Sequence, residues 1–448
     1  MRFLVGFLLL VVSANAQDYR INSWKSHLPL NQGLGVVQSE NIVFHASKGG
    51  LILLDKNSEE KSVLTKAEGL LDTDLSCVFY NSLNDNLIIG YESGGIDIYN
   101  NGGITSYLGI INSSVLGSKR INRIREINGT IYLCTAFGIV VFDDNKVEVK
   151  DTYYLKENNL AINDIRLYNS MFYAATENGV YTAGKDLILS NYMNWAKEDL
   201  AVSVENFSEF FSLNEALYVN NNAGNYYADS VYKNVNGEWL LVPELTGSRF
   251  KSFYVKSDEQ LYVSNDFGIS IYDTLFNKIK YIYEYTPEVG MKPIQIIPDI
   301  EREDVIWCSD KTLGLVKNRN TWYTTFYDYQ NPKTKNVFKL QAAHNNMYMT
   351  SGGASGSLWQ NVWLQDGVSY YDGLDWKVIN KATTSDLDSI FDMVDIAVDP
   401  SNENHFFVST LGDGVVEILN GQVVNIHADQ NSTLQPVYPI SPAWYWIG

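Results

Sequence analysis

Side chains that could do chemistry are scattered in this sequence. The five histidines are His27, His45, His344, His405 and His427. None forms an H-x-x-x-H or H-E-x-x-H pair, and no cysteine lies at ligand spacing from a histidine. The sequence also has no G-x-S-x-G elbow, P-loop or dinucleotide fingerprint. We therefore expect a non-enzymatic protein with no catalytic residues, no metal site and no cofactor.

The cysteines likewise give no indication of a chemical role. Cys77, Cys134 and Cys308 are too few for a disulfide framework in an exported protein of this size. We expect them to be small, buried, apolar side chains.

Two patterns come close to known sites but lack essential parts. Residues 264–270 (SNDFGIS) are close to the Asp-box of sialidase propellers. A sialidase needs several such boxes, an arginine cluster and a Tyr/Glu nucleophile pair, whereas this run occurs once. The acidic pairs Asp386/Asp388 and Asp392/Asp395 lack the D-x-D-x-D-G spacing of a calcium loop, so we expect them on a solvated surface.

One segment has the residue types of a contact surface. Residues 354–368 (ASGSLWQNVWLQDGV) contain Leu358, Trp359, Trp363 and Leu364. Exposed aromatic side chains on a loop between strands are suited to contact a protein or a glycan. The competing interpretation is that both tryptophans pack against neighbouring sheets.

The elements that position these residues follow a repeat. Its units are spaced by 41 to 45 residues, except for a final spacing of 59 that includes residues 354–368. The repeated position is occupied by Phe44, Ile88, Tyr132, Tyr173, Tyr218, Tyr262, Trp307, Tyr348 and Phe407. This period, together with abundant Tyr, Val and Ile, is typical of the four-stranded blades of a β-propeller.

A glycine follows the repeated position by six or seven residues in most units. These glycines are Gly50, Gly94, Gly138, Gly179, Gly224, Gly268, Gly314 and Gly414. We interpret them as hairpin turns that require a positive φ.

The predicted fold class is all-β, with a seven-bladed propeller and the beginning of a second, truncated propeller. We expect a signal peptide at residues 1–16, about seven blades at 17–330 and about two blades at 331–434. Residues 435–448 form an irregular tail without a blade pattern. Because an open sheet edge is unstable, we expect the chain either to be truncated relative to its natural relatives or to have a scrambled C-terminus.

Composition excludes several other classes. The chain has 448 residues, of which 45% are hydrophobic and 19% charged, and a net charge of −19. This hydrophobic content supports a large core and excludes global disorder. The acidic balance disfavours binding to nucleic acid or to anionic membranes.

The N-terminus predicts the compartment. Arg2 precedes an apolar run at residues 3–12, and Ala14-Asn15-Ala16 is an A-x-A cleavage site. This pattern is typical of a secretory signal peptide and is too short for a membrane span. We expect an exported protein without a transmembrane segment, located at the cell surface, outside the cell or in the periplasm.

Several motifs resemble known propeller repeats. Residues 68–78 (EGLLDTDLSCV) and 86–91 (NLIIGY) resemble the signature of two-component-regulator propellers, and 159–166 (NLAINDIR) is a degenerate second copy. The opening WKSHLP at residues 24–29 and the block at 352–376 resemble the double-propeller components of the type IX secretion system of Bacteroidetes. The second resemblance extends from about Trp24 to Asp429.

This resemblance implies a scaffold in a cell-surface attachment complex. The implied partners are the sortase-like protease PorU, the barrel proteins PorV and PorQ, and anionic lipopolysaccharide. That complex removes the C-terminal signal of secreted cargo and attaches lipopolysaccharide to it. The resemblance implies no site residues within the blades.

Two alternatives remain open from the sequence. The same repeats occur in the periplasmic sensor region of hybrid two-component histidine kinases, and a glycan-binding propeller would have a similar sequence pattern. The WKSHLP opening and the 352–376 block favour the secretion component.

Overall fold

The computed structural model describes residues 26–156, 159–224, 228–257, 259–287, 289–319, 323–327, 329, 331–356 and 360–435. Within these residues the chain folds into nine four-stranded antiparallel sheets and one two-stranded ribbon. Each four-stranded sheet uses four consecutive strands and is one blade, so the predicted all-β propeller class is confirmed. Short 3₁₀ helices lie at Lys66–Glu68, Tyr192–Asn194 and Ser385–Leu387.

The strands are numbered in chain order, four to a blade. Blades 1 to 3 are β1 Gly33–Gln38, β2 Ile42–Ser47, β3 Gly50–Asp55, β4 Lys61–Leu64, β5 Leu75–Asn81, β6 Asn86–Tyr91, β7 Ile96–Asn100, β8 Gly103–Tyr107, β9 Ile121–Ile127, β10 Thr130–Thr135, β11 Ile139–Asp143 and β12 Glu148–Tyr153. Blades 4 to 6 are β13 Ile162–Tyr168, β14 Met171–Thr176, β15 Gly179–Gly184, β16 Ala196–Lys197, β17 Phe207–Leu213, β18 Ala216–Asn221, β19 Asp229–Val235, β20 Glu238–Ser248, β21 Phe250–Lys256, β22 Gln260–Asn265, β23 Gly268–Tyr272 and β24 Lys278–Ile282. The ribbon is β25 Glu284–Thr286 and β26 Val289–Gly290, and blades 7 to 9 are β27 Pro293–Pro298, β28 Val305–Asp310, β29 Gly314–Arg319, β30 Tyr323–Tyr327, β31 Lys339–Ala343, β32 Asn346–Thr350, β33 Val368–Tyr371, β34 Trp376–Ile379, β35 Met393–Val398, β36 His405–Thr410, β37 Val415–Leu419 and β38 Gln422–His427.

The second strand of a blade is covered on both faces by its neighbours. Strands β6, β18 and β28 are buried along their whole length, whereas the fourth strands β4 and β8 contain no buried residue. The repeated aromatic position lies on these second strands and packs between blades. Tyr218, for example, stacks on Phe211 at a centroid distance of 4.9 Å, and Phe211 stacks on Phe253 of the next blade at 4.9 Å.

The turn glycines have two different reasons to be glycine. Positive φ angles occur at Gly50, Gly94, Gly179, Gly224, Gly314 and Gly414. Gly138 and Gly268 have no positive φ, so the expected reason is wrong for these two. A Cβ on Gly138 would lie 2.6 Å from the carbonyl oxygen of Tyr153, and one on Gly268 would lie 2.3 Å from that of Ile282. The backbone at the end of the fourth strand therefore leaves no room for a side chain at either turn.

Seven blades are arranged in a ring. Their first strands, β1, β5, β9, β13, β17, β21 and β27, contact one another in that order, and β27 contacts β1. Across this last junction the backbone N–H of Val36 donates to Oε1 of Gln295 at 3.0 Å, and Nε2 of Gln38 donates to the carbonyl oxygen of Pro298 at 2.7 Å. No strand is exchanged between blades 1 and 7, since each is formed by its own continuous segment. Side chains therefore close the ring.

Blades 8 and 9 share a core of their own. Tyr348 contacts Phe406 edge to face at 5.3 Å, and both are fully buried among aliphatic side chains of the two blades. Nε1 of Trp376 in blade 8 donates to Nδ1 of His27 at 2.9 Å. The expected division of the chain at residue 330 stays a prediction, and residues 1–16 and 436–448 lie outside the described residues.

Helices contribute little to this fold. Within the described ranges none of them has the length and apolar character needed to span a bilayer.

Candidate partner-binding surface

The proposed contact segment is partly described by the structure. Leu358 and Trp359 lie outside the described residues, whereas Trp363 and Leu364 are placed between strands β32 and β33 of blade 8. Nδ2 of Asn361 donates to the carbonyl oxygen of Leu411 at 2.8 Å, so the segment reaches the hairpin between β36 and β37 of blade 9.

A buried carboxylate holds the backbone of this segment. Oδ2 of Asp392 accepts hydrogen bonds from the N–H groups of Val362 at 3.0 Å and Trp363 at 2.9 Å, and Oδ1 accepts from Leu364 at 3.0 Å. The backbone N–H of Asp392 donates in return to the carbonyl oxygen of Leu364 at 2.8 Å. Three successive N–H groups on one carboxylate form an anion cradle, so this loop has a defined conformation.

Trp363 is both packed and exposed. Its ring contacts Phe391 edge to face at a centroid distance of 5.3 Å, yet 53% of the residue is accessible to solvent. Val362 beside it is 36% exposed. The loop therefore presents an apolar ridge on a fixed backbone, which is the arrangement that a partner can bind at low entropic cost.

The acidic pairs differ from one another in burial. Asp386, Asp388 and Asp395 are exposed as expected, and Asp395 pairs with Lys339 at 3.1 Å. Asp392 is fully buried, so its expected solvated position is wrong. The sequence spacing could not show this, because the carboxylate is required by N–H groups of a loop about thirty residues earlier in the chain.

The cysteines have the expected packing role. Cys134 and Cys308 are buried on second strands, and Cys77 is partly buried on β5. Burial raises the pKa of Cys77 to about 11 and raises the pKa of both other thiols. A thiol with a raised pKa carries little thiolate and is a poor nucleophile.

The Asp-box-like run is a structural hairpin. Oγ of Ser264 lies 2.7 Å from Oγ of Ser252 on the neighbouring strand, and Asp266 pairs with Lys251 at 2.8 Å. Within the described residues no group of three His, Cys, Asp or Glu side chains could hold a metal ion.

Sequence reasoning missed an ionic network in the central channel. Nε and Nη2 of Arg125 donate to Oδ1 and Oδ2 of Asp164, at 2.7 and 2.8 Å. Nη1 of Arg123 donates to Oε1 of Glu209 at 2.7 Å. Burial opposes ionisation of Asp164, but the charges of Arg125 and Arg123 outweigh it and lower its pKa to about 2. The charge of Arg125, together with burial, lowers the pKa of Arg166 to about 10.

This network joins blades 3, 4 and 5. Oδ2 of Asp164 on β13 also accepts the backbone N–H of Phe210 on β17 at 2.8 Å. A sequence signal exists, since the first strands INRIREI and INDIRLY contain charged residues among apolar ones. The network cannot be assigned without knowing which strands line the channel.

The family comparison concerns the first four blades. Residues 43–196 match the model of the PorZ N-terminal β-propeller domain of the type IX secretion system. The chain is similar to PorZ. This match confirms the resemblance to the propeller component of that system which the sequence motifs predict.

The fold of PorZ extends over nearly the whole chain. The solved PorZ of Porphyromonas gingivalis, described as an essential bacterial surface component of the type IX secretion system, has a TM-score of 0.77 at 20% identity. The alignment covers 95% of this chain and 55% of the PorZ chain, so this chain spans little more than half of that protein's length.

Two further solved propellers have lower TM-scores than PorZ. The extracellular domain of a hybrid two-component system from Bacteroides thetaiotaomicron has a TM-score of 0.34 at 15% identity, covering 89% of this chain and 52% of its own. The WD40 propeller of Doa1 has a TM-score of 0.49 at 13% identity, covering 66% of this chain and 96% of its own. A comparison with curated protein sequences found no match.

Proposed function

We propose that this chain is a non-enzymatic scaffold, exported to the cell surface, in the type IX attachment complex that processes and anchors secreted cargo. The match of residues 43–196 to the PorZ propeller model carries the proposal. The propeller fold alone would not, because the same fold serves many unrelated functions. The similarity to PorZ in fold over 95% of the chain supports the same assignment.

The proposed partners are the sortase-like protease PorU and the barrel proteins PorV and PorQ, together with anionic lipopolysaccharide. We assign Leu358, Trp359, Trp363 and Leu364 to a protein contact. Two observations favour Trp363 in this role, namely its 53% exposure and the fixed backbone on Asp392. A preorganised aromatic side chain loses little entropy when a partner covers it.

Deletion of the gene in its host tests the role in secretion. Cargo proteins should then keep their C-terminal signal and fail to remain on the cell surface, and expression of the full chain should restore both. Cargo that is processed and anchored normally in the deletion strain would contradict the proposal.

Co-purification tests the contact residues. An affinity-tagged chain should capture PorU from envelope extracts, and Trp363→Ala should reduce this capture. Tyr323→Ala is a matched control, because Tyr323 is a 76% exposed aromatic residue on β30, outside the loop. Equal capture by both variants would exclude Trp363 as a contact. Unfolding of Trp363→Ala, measured by circular dichroism, would favour the packing interpretation instead.

A further inference from the structure

A basic groove lies on one face of the ring at blades 6 and 7. It has a volume of about 400 Å³ and is lined by four cationic side chains, those of Arg249, Lys251, Lys292 and Lys311. Its lining includes one carboxylate, Asp266, which pairs with Lys251 at 2.8 Å. The lining therefore has three more cations than carboxylates, in a chain whose net charge is −19.

The topology places these residues at one end of the blades. Arg249 and Lys292 precede the first strands β21 and β27, while Asp266 and Lys311 lie in the turns after the second strands β22 and β28. In these antiparallel blades the start of the first strand and the turn between the second and third strands lie on the same face. Lys251 also lines the central channel together with Arg123, so the groove adjoins the channel.

Buried contacts fix the two lysine-bearing turns of blade 7. Oδ2 of the fully buried Asp310 accepts the backbone N–H of Lys292 at 2.8 Å, and its Oδ1 accepts that of Thr312 at 2.9 Å. The N–H of Lys311 donates to the carbonyl oxygen of Lys292 at 2.9 Å. The two lysines are thus held side by side by the backbone, which reduces the entropy lost when they bind the same ligand.

Apolar side chains complete the groove. Phe267 is 51% exposed at the tip of the β22–β23 turn, and Pro293 and Ile294 line the groove beside Lys292. A second depression of about 170 Å³ shares Arg249, Asp266 and Phe267 and is bounded by Tyr281. The groove and the adjoining depression are thus lined by both cationic and apolar or aromatic side chains.

We propose that this groove binds an acidic, extended peptide segment of a protein partner, with carboxylates on the cations and apolar side chains on Phe267 and the partly exposed Ile294. Acidic motifs are commonly recognised by clustered cations through charge-assisted hydrogen bonds. A neutral sugar fits less well, because its hydroxyl groups need acceptors and the groove's one carboxylate already pairs with Lys251. The spread of the cations over two blades suits several carboxylates along a chain better than one phosphate.

Fluorescence anisotropy with the full chain tests this proposal independently of any role in secretion. The probe is a fluorescein-labelled synthetic peptide of Asp-Glu-Leu repeats, and the matched peptide carries Asn and Gln in place of the acidic residues. We expect the acidic peptide to bind, its affinity to fall with added salt, and the amide peptide not to bind. Lys292→Glu combined with Lys311→Glu should weaken binding about tenfold or more, because charge complementarity is reversed.

The control variant carries the same charge change elsewhere. Lys146→Glu with Lys185→Glu alters two exposed lysines in turns after third strands, at the opposite end of the blades, and should change affinity less than about twofold. If the charge-reversal variant of the groove fails to fold, Lys292→Gln with Lys311→Gln replaces it and should weaken binding by a smaller factor. Absence of binding by the wild type, equal affinity of groove and control variants, or stronger competition by pyrophosphate than by the unlabelled peptide would each overturn the proposal.

Discussion

Nζ of Lys56 on blade 1 lies 3.4 Å from Oδ2 of Asp299 on blade 7, and both side chains are buried. The same Lys56 nitrogen donates to Oε1 of Gln38 at 2.7 Å, and Nε1 of Trp307 donates to Oδ2 of Asp299 at 2.7 Å. This buried ion pair lies at the junction where the seven-bladed ring closes without exchanging a strand. Burial lowers the pKa of Lys56, while hydrogen bonds led by that from Trp307 outweigh burial and lower the pKa of Asp299.

The first prediction concerns this closure. Asp299→Asn should lower the free energy of unfolding by about 3 kcal/mol, because Lys56 is left as a buried cation without its carboxylate. Lys56→Met should cost less, since Asp299 keeps its hydrogen bond from Trp307. Urea unfolding followed by tryptophan fluorescence measures both changes. Glu148→Gln removes the exposed partner of Lys146 and should change stability by less than about 0.5 kcal/mol. A loss for Asp299→Asn as small as this control would show that the pair does not stabilise the ring.

The propeller itself could be predicted because its cause is local and repeated. Tyr132 and Tyr218 occur at the same place in their respective units, since each second strand packs between two blades. Any sequence with that period and that apolar position must bury the same face in every unit. The segment with Trp363 was found for the opposite reason, because it interrupts the period.

The remaining features depend on which units become neighbours in space. The pair Lys56–Asp299 joins blades 1 and 7, which lie at opposite ends of the ring sequence, and Arg125 binds Asp164 of the next blade, 39 residues away. The role of Asp392 depends on N–H groups that need an acceptor only once the loop has formed. Periodicity carries no information about such partners, so the sequence pattern predicts an ordinary solvated charge for Asp392.

The second prediction concerns pH and blade 9. Glu417 lies between two histidines, with Oε1 3.0 Å from Nε2 of His405 and Oε2 2.8 Å from Nε2 of His427. The hydrogen bond to Glu417, followed by that to Asp399, raises the pKa of His405 above 6.5. The hydrogen bond from His405, followed by that from His427, lowers the pKa of Glu417 below 4.5.

The sign follows from these two directions. A raised histidine pKa stabilises the fold fully below pH 6.5, and this contribution is lost as the pH rises through the folded-state pKa of His405. A lowered glutamate pKa stabilises the fold above pH 4.5, and this contribution is lost as the pH falls. The melting temperature of the wild type should therefore exceed that of Glu417→Gln most between pH 4.5 and 6.5. A difference that is constant from pH 4 to about 9 would contradict this coupling.

The third prediction concerns the loop that carries Trp363. Asp392→Asn should release it, because an amide oxygen cannot accept all three N–H groups and the amide nitrogen opposes them. We expect a loss of about 1–3 kcal/mol and faster cleavage within residues 354–368 in limited proteolysis. Asp395→Asn alters an exposed aspartate nearby and should leave both properties close to the wild type. Equal cleavage rates in the two variants would show that the carboxylate does not hold the loop.

The fourth prediction concerns the hairpin that carries Phe267 to the basic groove. Gly268→Ala should cost about 1–3 kcal/mol, because the new Cβ would lie 2.3 Å from the carbonyl oxygen of Ile282 and the backbone must move. Gly290→Ala is the matched control, since a Cβ there meets no atom within 4 Å and φ is not positive. The melting temperatures of the two variants distinguish the effect of the close contact with Ile282 from the general effect of replacing a glycine by alanine. If both variants lose the same stability, the contact with Ile282 is not the reason for glycine at this turn. If only Gly268→Ala is destabilised and it also weakens acidic-peptide binding, the position of Phe267 depends on this close backbone contact.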